Sequence, residues 1–156
     1  MASFDPETWK ALLKRRGLSA SKGLGQHFLV SPQAIGKILE ASAEAAGVLE
    51  IGPGPGVLTS GLADGTRRVL AIEVDPRMAE VLAETSPNAE VLIADALQTD
   101  WGALLQDLPR PRAIVSNLPY YITSAILRHI FEHLPRPQRV VVTVQREVAE
   151  RLIAGP

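Results

Sequence analysis

Three glycines spaced two apart, Gly52, Gly54 and Gly56, end the run Val48-Leu49-Glu50-Ile51-Gly52-Pro53-Gly54-Pro55-Gly56 and lead into Val57-Leu58-Thr59. Glycine accepts positive φ and lets the backbone come close to a ligand, so the stretch reads as a strand, a tight turn and a helix start beneath a nucleotide-like molecule. The dinucleotide fingerprint G-x-G-x-x-G is a poor match, because the third glycine comes one residue early. A bare turn with no ligand is the plain alternative. Further along, Glu73, Asp75 and Asp95 each follow an apolar run. Ionised carboxylates only accept hydrogen bonds, so Glu73 can receive both hydroxyls of a ribose and Asp95 an exocyclic amine such as that of adenine. Taken singly, each acid reads equally well as a helix N-cap, Asp75 before Pro76 above all. The last feature is Asn117-Leu118-Pro119-Tyr120. A planar ring amine is a poor nucleophile because its lone pair is delocalised, so a site that makes it react must hold the ring flat and accept its hydrogens. The Asn117 side-chain oxygen and the Leu118 carbonyl supply acceptors, Pro119 stiffens the turn and withholds a competing N–H, and Tyr120 offers a face for stacking. An ordinary turn with Tyr120 in the core is the competing reading.

These residues need elements to hold them. From Gly47 onward the pattern alternates strand and helix, and the strands are continuous apolar runs, as expected for a parallel sheet buried on both faces. Strands are predicted at 47–51, 69–73, 90–94, 112–116 and 139–144, with helices near 57–63, 76–84, 101–106 and 123–133 and a last one from Arg146. Ile122, Ile126, Ile130 and Leu134 mark one buried helical stripe. The sum is a doubly wound, mostly parallel α/β sheet, in which ligands bind beyond the carboxyl ends of the strands. The glycine turn, Glu73, Asp95 and Asn117 all fall at such ends. Upstream, Asp5-Pro6-Glu7 opens a helix carrying Trp9, Leu12 and Leu13, Gly17 closes it, and residues 19–30 read as a ligand-contacting loop. Ser31-Pro32 then starts a helix with Ile35, Ile38 and Leu39 inward.

At 156 residues, 46% hydrophobic and 21% charged, the chain suits one soluble domain. It has no cysteine, which excludes a disulfide framework and a thiolate metal site, and His27, His129 and His133 make no ligand cluster. His129 and His133, four apart on a helix, read as surface or satisfied histidines, and no metal is expected. No apolar run is long enough to span a membrane, and no signal-peptide pattern opens the chain, so a cytoplasmic protein is expected. Charge is uneven: Lys10, Lys14, Arg15, Arg16, Lys22 and Lys37 against Asp5 and Glu7 give residues 1–37 a balance of +4, leaving −5 for the rest of a chain whose net charge is −1. The reading is a basic arm with a cofactor-contacting loop over 1–37 and a ligand-binding domain over 38–156. Lys10, Lys14, Arg15, Arg16 and Lys22 are the candidate contacts to a polyanion; a solvated helix face is the alternative.

Glu50-x-Gly52-x-Gly54-x-Gly56 resembles motif I of the class I S-adenosylmethionine-dependent methyltransferases, Rossmann-like domains in which the methionine part of the cofactor lies over the glycine turn. The wider set is similar to the ribosomal RNA adenine N6,N6-dimethyltransferase family, in its small-subunit branch. It comprises Leu24-Gly25-Gln26-His27-Phe28-Leu29, the glycine turn, Ile72-Glu73-Val74-Asp75, Ala94-Asp95-Ala96, Asn117-Leu118-Pro119-Tyr120-Tyr121-Ile122-Thr123-Ser124 and Val144-Gln145-Arg146-Glu147-Val148-Ala149. The resemblance implies S-adenosylmethionine contacts at His27, Leu29, Gly52, Gly54, Glu73, Asp95 and Asn117, with the target adenine held by Asn117, Leu118, Pro119 and Tyr120. It further implies dimethylation of adenosines in small-subunit rRNA, as a monomer acting on an immature small ribosomal subunit, with the basic arm on RNA phosphates. His27 stands where many members have Asn. Family members continue through further strands, a second aromatic loop and a small helical C-terminal domain, so a truncated chain with an open sheet edge is expected. Large-subunit rRNA or DNA as the adenine-bearing substrate, and a non-catalytic RNA-binding assembly factor, are the alternatives.

Overall fold

The computed structural model describes residues 6–18, 31–118, 122–132 and 136–155. Five strands, β1 (Gly47–Ile51), β2 (Arg68–Glu73), β3 (Glu90–Ile93), β4 (Arg112–Asn117) and β5 (Arg139–Thr143), form one sheet in the order β3-β2-β1-β4-β5, and all four pairings are parallel. Seven helices accompany it among the described residues: α1 (Pro6–Arg15), α2 (Pro32–Ala41), α3 (Val57–Leu62), α4 (Met78–Thr85), α5 (Trp101–Asp107), α6 (Thr123–Glu132) and α7 (Arg146–Ile153). β1 lies in the middle with all five residues buried, whereas the edge strands β3 and β5 are partly exposed. That is why the central strands are unbroken apolar runs: helices cover both of their faces.

Alternate residues of β1 feed two cores. Leu49 and Ile51 join Ile72, Ile114, Trp101, Leu105, Ile126 and Ile130 on the face covered by α5 and α6. Val48 joins Val69, Val115, Val57, Leu58, Leu62, Ile35 and Ile38 on the face covered by α2 and α3. The two-residue period then sets Glu50 on the same face as Val48, and Glu73 on the same face as Val69. The chain runs outward from β1 through β2 to β3, then returns to the other side of β1 with β4 and β5. Strand order reverses between β1 and β4, and the crevice beyond their carboxyl ends is where open α/β sheets take ligands.

Some expected boundaries shift. β2 takes in Arg68 and β4 takes in Asn117, while β3 and β5 stop one residue early, at Ile93 and Thr143. α4 begins at Met78, because Pro76 and Arg77 form a turn held by Asp75: its carbonyl accepts from the Met78 N–H at 3.0 Å and its carboxylate from the Arg77 N–H at 3.1 Å. The division expected between residues 37 and 38 falls inside α2, whose Ile35 and Ile38 enter one core, so it is not a break in the fold. The His129 ring meets Trp101 edge-on at 4.5 Å between centroids; His133, Leu134 and Asp5, with which the first helix was expected to open, lie outside the described residues. No described helix is long and apolar enough to cross a membrane, and no group of three or more potential metal ligands occurs among the described residues.

Candidate functional site

The glycine turn after β1 is built from three left-handed residues, with φ of +69° at Gly52, +56° at Gly54 and +95° at Gly56. Side chains rarely adopt these angles, which accounts for glycine at each. Bonds to β2 and to the end of α4 hold the turn. The Gly52 N–H donates to the Ile72 carbonyl at 2.9 Å, and the Gly54 N–H donates to Glu73 Oε2 at 2.9 Å. The Thr85 hydroxyl donates to the Pro55 carbonyl at 2.8 Å and the Ser86 hydroxyl to the Gly56 carbonyl at 3.4 Å. A Cβ on Gly56 would lie 2.5 Å from Thr85 Oγ1, whereas one on Gly52 would meet nothing within 4 Å among the described residues. The end of α4 therefore braces the turn at Gly56, while no described residue crowds it at Gly52.

Two carboxyls lie on the α3 face beneath this turn. Glu73, at the end of β2, is 3% exposed and also accepts from the Asp75 N–H at 2.9 Å through Oε1. Burial raises its pKa, the Asp75 and Gly54 N–H groups oppose that rise, and the Asp75 charge adds to it. Glu50, at 1% exposure, is still deeper, and its Oε2 has no hydrogen-bond partner among the described residues. Burial pushes its pKa up to about 8, the Thr59 hydroxyl opposing and the Glu73 charge adding. Asp75 is held by Arg77, whose guanidinium reaches its carboxylate at 2.6 Å. Between the two buried acids Val74 is 45% exposed, an apolar side chain presented on a polar rim.

At the end of β4 the Ser116 hydroxyl donates to the Ile51 carbonyl at 2.6 Å, tying β4 to β1 where the crevice opens. Asn117 follows, half-buried, and its Oδ1 accepts from the Thr143 hydroxyl across the β4–β5 register. Leu118 is buried, and its N–H donates to the Thr143 carbonyl at 3.4 Å. The rim thus gathers Gly52, Gly54, Glu73, Asn117 and Leu118 at three adjacent strand ends. Asp95 sits farther out at the end of β3, exposed, with Oδ1 accepting from the Leu97 N–H at 2.9 Å, so it serves as the N-cap that its position also allowed. His27, Leu29, Pro119, Tyr120 and Lys22 lie outside the described residues. Of the basic arm, Lys10 pairs with Glu7 at 2.8 Å, Lys14 is exposed, Arg15 lies 4.0 Å from Glu84, and Arg16 bridges Glu80 at 3.1 Å and Glu84 at 2.5 Å. Arg16, Leu18, Pro76, Arg77 and Glu80 line a cavity of about 420 Å³ where the arm meets the β2 end of the rim.

A parallel sheet ordered β3-β2-β1-β4-β5, with a glycine turn leaving its central strand and an acid ending the next, is the fold of the class I S-adenosylmethionine-dependent methyltransferases. The particular family is also defined: residues 17–156 match the model of the ribosomal RNA adenine dimethylases, and the chain belongs to that family. It is 44% identical over 161 residues to ribosomal RNA small subunit methyltransferase A of Deinococcus radiodurans, covering 98% of this chain and 52% of that protein. Among solved structures, a dimethyladenosine transferase from Plasmodium falciparum superposes with a TM-score of 0.68 at 32% identity, covering 83% of this chain and 47% of the other. The 23S rRNA methyltransferase ErmE superposes at 0.64 with 37% identity, covering 80% and 50%. The chain spans about half the length of the relatives it matches.

Proposed function

We propose that this chain carries the methyl-transfer half of an enzyme that methylates the N6 amine of adenosines in small-subunit rRNA, as a step in ribosome biogenesis. The observation that carries the reading is the adjacency of two strand ends: the glycine turn leaving β1 and Asn117-Leu118 ending β4 lie side by side, with Ile51 opposite Ser116. The residues on the rim fit S-adenosylmethionine. Among the described residues the turn leaves room for backbone approach at Gly52, Glu73 offers acceptor oxygens suited to a ribose diol, Val74 offers an apolar face to a purine, and Gly54 keeps Glu73 in place. Bound at this rim, S-adenosylmethionine would supply an activated methyl on a sulfonium: the C–N bond to the amine would form as the S–CH3 bond breaks onto sulfur, and the proton that the amine nitrogen then sheds would pass to water. The chain then has little proton chemistry to perform. Asn117 Oδ1 and the Leu118 carbonyl accept from the amine as its nitrogen loses planarity, and alignment supplies most of the rate. On the strength of the family pattern, Pro119 and Tyr120 are assigned to the target base and His27, Leu29 and Asp95 to the cofactor.

Calorimetric titration with S-adenosylmethionine, followed by methyl transfer to immature small ribosomal subunits, tests the reading. Saturable binding and transfer that Asn117→Ala lowers on the order of 100-fold, with a smaller loss of cofactor affinity, are expected. Binding without transfer from any preparation that includes this chain would make it an assembly factor instead. The likeness to ErmE favours one further substrate, large-subunit rRNA, so large subunits belong in the same assay; transfer to those alone would move the target.

A further inference from the structure

Glu50 takes no part in the transfer chemistry, yet it is the acid carried by the central strand. It is buried on β1 between Thr59 in the first turn of α3 and Glu73 at the end of β2, and its Oε2 has no hydrogen-bond partner among the described residues. No described cation faces it. α3 has no charged residue, Lys37 and Glu40 of α2 are exposed, and Arg112, at the far end of β4, donates to the Leu108 and Gln106 carbonyls. Beyond β2, Asp75 is held by Arg77. The charge that does reach Glu50 is that of Glu73, a second acid. Burial without a cation, beside a like charge, favours the neutral carboxyl and raises its pKa to about 8.

In the methyl-transfer reading the ribose is held at β2 and the target amine at β4, so the sulfonium between them lies over the end of β1. S-adenosylmethionine carries one positive charge more than S-adenosylhomocysteine, the thioether left once the methyl has gone. A positive charge near a buried carboxyl favours its ionised form, and little water intervenes to screen the attraction. Glu50 is already 1% exposed, so covering the crevice has almost no water left to take from it, and desolvation does not offset the charge.

We propose that Glu50 is the charge sensor of the cofactor site: it gives up its proton when the positively charged nucleoside binds and regains one when the electrically neutral product takes its place, so that the site prefers cofactor to product. The proton passes to bulk water, and the electron pair of the O–H bond stays on the carboxylate. This deepens the methyl-transfer reading and rests on it. By linkage, a nucleoside that favours the ionised carboxyl gains affinity as pH rises, and one that leaves the carboxyl alone does not.

The test titrates S-adenosylmethionine and S-adenosylhomocysteine into the parent and into Glu50→Gln, by calorimetry in buffers of different ionisation enthalpy, which counts the protons exchanged. Subtracting the variant removes protons exchanged by the nucleosides' own amines, and the ribose contact to Glu73, common to both nucleosides, cancels between them. For a one-unit fall in pKa we expect about 0.4 proton released per site near pH 8 with S-adenosylmethionine, and almost none with S-adenosylhomocysteine. From about pH 6.5 to about pH 9 the preference for S-adenosylmethionine should then rise about sevenfold more in the parent than in the variant. A second readout needs no variant. In the parent labelled with 13C at its glutamate carboxyls, the signal that titrates near pH 8 should move its midpoint down by about one unit with S-adenosylmethionine and keep it with S-adenosylhomocysteine. Equal release with the two nucleosides, a preference that follows the variant's across pH, or a midpoint that S-adenosylmethionine leaves in place would each overturn the proposal while the methyl-transfer reading stands. Saturable binding of neither nucleoside overturns the reading and the proposal together.

Discussion

Glu50 carries more consequence than its place in a glycine motif suggested. The pattern marks it as one acid before a turn; the fold buries it on the central strand, facing the same side as Glu73. Its sign with pH is fixed by the raised pKa. The unfolded carboxyl loses its proton near 4.5, while the folded one keeps it to about 8, so in that window the native state binds the extra proton. Stability therefore falls as pH rises between those values, by at most about 1.4 kcal/mol per pH unit from this group. Glu73, shifted in the same direction, adds to the slope. Glu50→Gln should flatten the fall of Tm between pH 5 and pH 8, read by thermal melts across that range. An unchanged slope would mean that the carboxyl reaches water. Gly56 makes a second prediction at this scale. At φ +95°, with Thr85 Oγ1 2.5 Å from any Cβ, Gly56→Ala strains the backbone and pushes on the brace from α4. Left-handed strain of about 1–2 kcal/mol corresponds to a drop in Tm of roughly 2–8 °C for a chain of this size. Calorimetric melting checks it.

At the level of elements, strand positions could be read from the sequence because sheet burial on both faces writes an unbroken apolar run, and Val48-Leu49 or Ala113-Ile114-Val115 have no other reading in a doubly wound fold. The glycine turn was readable for a similar reason: few backbones but a left-handed turn need three glycines so close. The bond from Thr143 to Asn117 was not readable, since it depends on register, and nothing in Val142-Thr143-Val144 says that Thr143 will stand opposite Asn117. Nor was the fate of α1. Its charge suggested an arm apart from the domain, yet Leu13 packs against Met78 and Leu82 of α4, and Trp9 reaches the core shared by α2 and α3. Composition reports charge well and docking poorly, because docking rests on two or three apolar side chains. Leu13→Ala is therefore expected to cost about 2–4 kcal/mol and to expose residues 6–18 to limited proteolysis while the sheet stays resistant. Cleavage no faster than in the parent would show that α1 is held by its ion pairs alone.

Across the whole molecule the division of charge, +4 in residues 1–37 against −5 in the remainder, is partly spent internally. Arg16 bridges Glu80 and Glu84 and Lys10 pairs with Glu7, all on the surface, where such pairs hold weakly and can be exchanged. Lys14 and Arg15 are exposed, Arg15 with only a 4.0 Å approach to Glu84. A polyanion reaching the arm would thus meet Lys14 and Arg15 first, and each phosphate neutralised would release a counterion and steepen the dependence of affinity on salt. The arm ends beside the β2 end of the rim, across the glycine turn of β1 from Asn117 at the end of β4. Replacing Lys14 and Arg15 together by glutamine should weaken rRNA binding and lower the slope of log K against log salt by about 1–2, since each contact contributes roughly 0.7–0.9. Affinity for S-adenosylmethionine should not change. Arg16→Gln differs: it frees two acids on α4 as it removes one cation, so it should weaken RNA binding further by leaving Glu80 and Glu84 uncompensated. Binding titrations from low to high salt, with calorimetry for the nucleoside, separate the cases; an unaltered salt slope in the double variant would show that the arm is a solvated helix face and that RNA docks elsewhere.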